Sequence, residues 1–140
     1  MRLSFRLAPL FAGLLLCAAP AMAEEAYFKT PSGNIFCGYD DYSGAPYVRC
    51  DIRNYTPTTG KTPADCDLEW GDSFEVGANS KRGGLVCHGD TIINPDARTL
   101  GYGKAFSRGG ITCLSEQRGL TCKNKRGHGF FLSRAKQQIF

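Results

Sequence analysis

The chain has 140 residues, 42% hydrophobic, with 17 Lys or Arg against 13 Asp or Glu, a formal net charge of +4 and seven cysteines. This length suits one domain with one core and leaves two domains too thin. So small a net charge argues against nucleic acid as a partner.

Arg2 and Arg6, an apolar stretch from Leu7 to about Ala19 and the small residues of Ala21-Met22-Ala23 form the three parts of a secretory signal. Cleavage is expected after Ala23, leaving residues 24–140 as a single disulfide-rich domain that is periplasmic or secreted. The apolar run is short and carries Pro9 and Pro20, and nothing later approaches the roughly 20 apolar residues a spanning helix needs. Acylation at Cys17 is disfavoured because Leu16, not a small residue, precedes it.

Beyond the leader the six cysteines are Cys37, Cys50, Cys66, Cys87, Cys113 and Cys122. An even number in an oxidising compartment favours three disulfides over a metal site. The gaps of 13, 16, 21, 26 and 9 residues contain no C-x-x-C, which argues against structural zinc.

Strand signals dominate. Ala26 to Thr30 reads as a first strand closed by Pro31-Ser32-Gly33. Ile35 to Tyr39 and Tyr47 to Ile52 follow, separated by the turn formers of Asp40 to Pro46. If Cys37 faces Cys50, then Ile35 faces Ile52 and Tyr39 faces Val48, an apolar ladder on one side of a hairpin. Pairing Cys113 with Cys122 likewise sets Ser115 opposite Leu120 and puts Ile111, Cys113, Leu120 and Cys122 on one face. By elimination Cys66 joins Cys87, which would set Leu68 opposite Leu85. Neighbour pairing is one of 15 connectivities that six cysteines allow.

Three of the strands begin alike, as Gly33-Asn34-Ile35-Phe36-Cys37, Gly83-Gly84-Leu85-Val86-Cys87 and Gly109-Gly110-Ile111-Thr112-Cys113. A turn glycine followed by alternating apolar residues and a cysteine describes a half-buried strand stapled at one point. Asn54 to Pro63 reads as a surface loop. The end of the chain looks like a strand and a short final element, with a weak helical period near Arg134 to Ile139, docking Phe130, Leu132 and Phe140. The expected fold is all-β, a small disulfide-stapled antiparallel sandwich or barrel built from hairpins.

Charge divides the chain. Glu24 to Gly103 holds 7 basic and 12 acidic residues, whereas Lys104 to Phe140 holds 8 basic residues and the single Glu116. Arg118, Lys123, Lys125 and Arg126, with Lys104, Arg108, Arg134 and Lys136 nearby, are the candidate surface for an anionic ligand such as an envelope polymer. The opposing reading is internal complementarity, a basic half packed beside an acidic one.

Other constellations are thinner. Asp65, Asp67 and Glu69 alternate with apolar residues and could offer carboxylates to a cation with help from Asp72, but on a strand they are too spread to converge. His88 and His128 are candidate general bases, the latter with Ser107, Ser115 or Ser133 in reach; none of these serines lies in a nucleophile motif. Tyr42 and Tyr47, beside Asp40 and Asp41, have the composition of a sugar-stacking surface. The Asp40 to Pro46 loop between bridged strands could serve an inhibitor of a secreted enzyme. No residue set requires a cofactor, and no catalytic set converges.

Phe28-Lys29-Thr30-Pro31-Ser32-Gly33-Asn34-Ile35-x-Cys37, Val48-Arg49-Cys50-Asp51-Ile52, Cys66-x-Leu68-x-Trp70-Gly71 and Gly127-His128-Gly129-Phe130-Phe131-Leu132-Ser133-Arg134 together resemble a family of small exported bacterial domains of unknown function. The resemblance implies a one-domain bacterial secreted or periplasmic protein and carries over no catalytic residue, cofactor or partner. The expected role is a non-enzymatic binding or interaction module of the bacterial envelope or extracellular space, acting on an anionic envelope polymer or a secreted protein. A small secreted hydrolase and an enzyme inhibitor are the alternatives.

Overall fold

Alternating apolar side chains build two sheets whose buried faces meet. A computed structural model describes residues 26–140, so the expected leader and its cleavage point lie outside the described residues. The first sheet comprises β1 (Tyr27–Lys29), β2 (Ile35–Asp40), β3 (Tyr47–Ile52), β4 (Ser73–Gly77), β5 (Gly84–Leu85) and β6 (Arg98–Thr99), in the spatial order β5-β4-β3-β2-β1-β6. All its pairings are antiparallel except β1 with β6. The second sheet is an antiparallel meander, β11-β10-β9-β8-β7, made of β7 (Ala105–Arg108), β8 (Ile111–Glu116), β9 (Gly119–Asn124), β10 (Gly129–Leu132) and β11 (Gln137–Ile139). The fold is an all-β sandwich.

The hairpin registers follow the apolar ladders. Cys37 lies opposite Cys50, with Ile35 opposite Ile52 and Tyr39 opposite Val48. Cys113 lies opposite Cys122, with Ser115 opposite Leu120. Directly opposed cysteines on antiparallel neighbours are within bridging distance. Disulfides join Cys37 to Cys50, Cys113 to Cys122 and, between loops, Cys66 to Cys87. The first two lie inside the sandwich, where Cys50 Sγ approaches Cys122 Sγ to 3.8 Å. Around them pack Phe28 on Phe106 at 5.1 Å and Phe74 on Phe130 at 5.9 Å between ring centroids. Aromatic pairs so placed add about 0.5–1.5 kcal/mol each beyond their buried area.

Several expectations need correction. Leu68 does not face Leu85: Leu85 pairs with Phe74, and Leu68 is 60% exposed. The segment from Asp65 to Trp70 forms no strand beyond a single bridge of Glu69 with His88, because no neighbour offers it a ladder. The weak helical period near the end resolves as the strand β11, antiparallel to β10. Phe140 docks through its backbone: its N–H donates to the Gly129 carbonyl and its own carbonyl accepts from the N–H groups of Gly83 and Gly129, while its ring stays exposed.

Candidate functional site

Two antiparallel hairpins place the basic residues at the edge of the second sheet. The turn between β7 and β8 is Gly109-Gly110, both with positive φ (57° and 83°), as a two-residue hairpin requires. It draws Ser107 and Arg108 beside Thr112, and β9 adds Lys123 through its pairing with Thr112. Asn124 ends β9 buried. Its amide donates to the Gly77 and Ser80 carbonyls, and its carbonyl oxygen accepts from the N–H groups of Arg126 and His128. With four partners it is spent on architecture, and the loop it holds presents Lys125.

The result is an open pocket of about 520 Å³ lined by Arg108, Lys123 and Lys125, the hydroxyls of Ser107 and Thr112 and the glycine backbone. Among the described residues no carboxylate lines it. The Arg108 guanidinium lies 4.7 Å from the centroid of the Tyr39 ring, a cation–π arrangement, and Ser107 and Thr112 share a 2.9 Å hydrogen bond.

Not every predicted cation joins this pocket. Arg126 is exposed in the following turn and Arg118 sits at the far end of β9, about 17 Å away at roughly 3.3 Å per residue. There Arg118 donates to Glu116 Oε2 at 3.1 Å and stacks 4.9 Å over Phe131. Arg118 and Arg134 line a second cleft instead.

The histidines are placed differently from a catalytic pair. His88 is buried, its Nε2 bonded to Asp72 Oδ1 at 2.8 Å and its Nδ1 to the Asp90 carbonyl at 2.5 Å. Burial, the largest single influence, works to lower its pKa; the bonds to Asp72 and Asp90 and the charge of Asp72 outweigh it, so the pKa is raised. Both ring nitrogens are thus engaged by neighbouring oxygens, which leaves neither of them facing a substrate as a base. Among the described residues no hydrogen bond joins a serine hydroxyl to His128; Ser107 bonds Thr112, Ser133 bonds the Lys136 carbonyl, and Ser115 is buried. Tyr39 is buried, Tyr47 half-buried, and Tyr42 stands 98% exposed at the tip of the β2–β3 hairpin.

The network that sequence inspection missed centres on Asp51. This carboxylate, buried on the outer side of β3, accepts from Arg49, from the hydroxyls of Ser73 and Thr91 and from the Ile92 N–H. Arg49 also reaches Asp90 at 2.8 Å. Alternating Arg49 and Asp51 on one strand was the available signal, since residues two apart share a face. The Cys37, Cys50 and Cys122 sulfurs gather within 4.8 Å of one another, but each already belongs to a disulfide.

Residues 8–140 match the family of unknown function DUF6636. The chain belongs to that family. No curated protein and no solved structure matches it. For this DUF6636 member, three disulfides are the framework typical of extracellular or periplasmic proteins, and no helix among the described residues is long and apolar enough to cross a membrane.

Proposed function

We propose that the protein is a non-enzymatic binding module of the bacterial envelope or extracellular space, and that it holds an anionic envelope polymer at the pocket rimmed by Lys123 and Lys125. The observation that carries this reading is the lining of that pocket: three cationic side chains with hydroxyls and glycine backbone and, among the described residues, no carboxylate. Internal neutralisation would require acidic side chains at Lys123 and Lys125, and among the described residues none lines the pocket beside them. A leader ending at Ala23 would deliver the domain to the compartment where such polymers occur. The commitment of both His88 nitrogens favours binding over hydrolysis.

The test is a titration of the mature protein with purified lipopolysaccharide at low and at moderate salt. Binding is expected to weaken with salt, because exposed charges are screened, and to fall at least tenfold in K123S/K125S while R118S binds normally. Unchanged affinity in K123S/K125S would sink the proposal.

A further inference from the structure

The two segments that gave the chain its most distinctive sequence, Thr30 to Ile35 and Leu132 to Arg134, are about a hundred residues apart and meet in one cleft at the opposite end of the sandwich from the basic pocket. The cleft has a volume of about 340 Å³, at the small end of the range for ligand pockets, roughly 300 to 1,000 Å³. Ile35 and Leu132, both buried, lie at its base; Tyr102, 46% exposed, is part of its wall.

Its loops are fixed by their own bonds. Thr30 gives its N–H to the Ile35 carbonyl and its carbonyl accepts from Gly33, while Asn34 and Asn54 bond reciprocally. On the other side, the Ser133 hydroxyl donates to the Lys136 carbonyl and accepts its N–H, and the Arg134 carbonyl accepts from Thr56. The backbone at Arg134 is thereby held from two sides. Its guanidinium has no hydrogen bond or ion pair among the described residues, whereas the neighbouring Arg118 is engaged by Glu116 and by the Phe131 ring. An aromatic face, an apolar base, a positioned carboxylate and one uncommitted guanidinium on rigid loops are the parts needed to hold a sugar ring that carries a carboxylate. The C–H face of such a ring would pack on the tyrosine, its hydroxyls would meet Glu116 and Gln117, and the planar fork of Arg134 would match the acid bidentately.

We infer that this cleft is a binding site for a carboxylate-bearing sugar, with Arg134 as the acid-recognising residue and Tyr102 as the stacking face. The site is independent of Lys123 and Lys125, so its failure and that of the basic pocket are separable.

The test is titration of the mature protein with trigalacturonate, followed by amide chemical shifts, beside neutral maltotriose and inorganic phosphate. Trigalacturonate is expected to shift residues around Thr30 and Arg134, with affinity reduced at least tenfold by R134M and by Y102A and unchanged in K123S/K125S. The amide spectra of the two cleft variants check that each remains folded. Absence of trigalacturonate binding, equal binding of maltotriose or of phosphate, or full affinity in R134M would each overturn the inference. So would loss of binding only in K123S/K125S, which would move the ligand to the basic pocket.

Discussion

Cys50 Sγ and Cys122 Sγ, on facing sheets, are in contact at 3.8 Å, so the two sheets touch through their bridges at the centre of the core. Each bridge therefore fills core volume as well as restraining the unfolded chain. Removing Cys37 and Cys50 together as C37A/C50A is expected to cost about 2–5 kcal/mol. Urea unfolding of the variant against the parent checks this, and a loss below about 1 kcal/mol would show that the bridge contributes little to packing.

The third bridge behaves differently. Cys66 is half-buried and Cys87 exposed, and their disulfide ties loops rather than strands. Exchange requires a thiolate to reach a sulfur. Under native conditions dithiothreitol should open Cys66–Cys87 first, with the other two bridges opening only on unfolding. Alkylation of partly reduced protein followed by peptide mapping gives the order, and early labelling of Cys113 or Cys122 would refute it.

Asp51 takes its partners from β3, β4 and the loop at Thr91 and Ile92. That carboxylate clamps the loop onto the outer side of the first sheet. D51A leaves Arg49 without its buried partner, a loss expected to cost roughly 3–5 kcal/mol. Hydrogen exchange at Ile92 should quicken in the variant, and unaltered protection there would deny the clamp.

Much of this architecture is legible in the sequence wherever a two-residue period coincides with a cysteine. Ile35, Cys37 and Tyr39 against Val48, Cys50 and Ile52 admit one register that buries all six. The alternation of Cys66, Leu68 and Trp70 is equally regular, yet Leu68 is solvent-exposed because no partner strand lies beside it. The Asp51 clamp joins residues 22 to 41 positions apart, and the cleft joins Thr30 to Arg134; neither separation leaves a local pattern. For the basic residues, composition marks the correct half of the chain. The length of β9 then places Arg118 and Lys123 at opposite ends of the sheet, a separation that a charge count does not contain.

His88 gives the stability a pH dependence whose sign follows from its bonds. Its folded pKa is raised above the unfolded value of about 6.5, so its contribution is complete below that value and is lost as pH rises through the folded pKa. Thermal unfolding should show stability declining above about pH 6.5, a slope that H88Q flattens by removing the titrating group. An equal slope in H88Q would assign the effect elsewhere.

Among the described glycines, Gly129 is where an added Cβ would come nearest to backbone, which explains part of the Gly-His-Gly-Phe segment. A Cβ there would lie 1.9 Å from the Cys122 carbonyl oxygen, and a Cβ on Gly83 would lie 2.1 Å from the Gly129 oxygen. Both obstacles are backbone, which cannot rotate aside. G129A must therefore push β10 away from β9, the strand that carries Cys122 and Lys123, and is expected to destabilise the domain by about 2 kcal/mol or more, within the range of severe single substitutions. Gly127, two residues earlier, has open space around its Cβ position but a φ of 82°, so G127A strains only the turn and should cost about 1 kcal/mol. Comparing the two variants by denaturant midpoint separates backbone collision from turn strain. If G127A proved the more damaging, the close packing of β10 on β9 would not be what requires glycine at position 129.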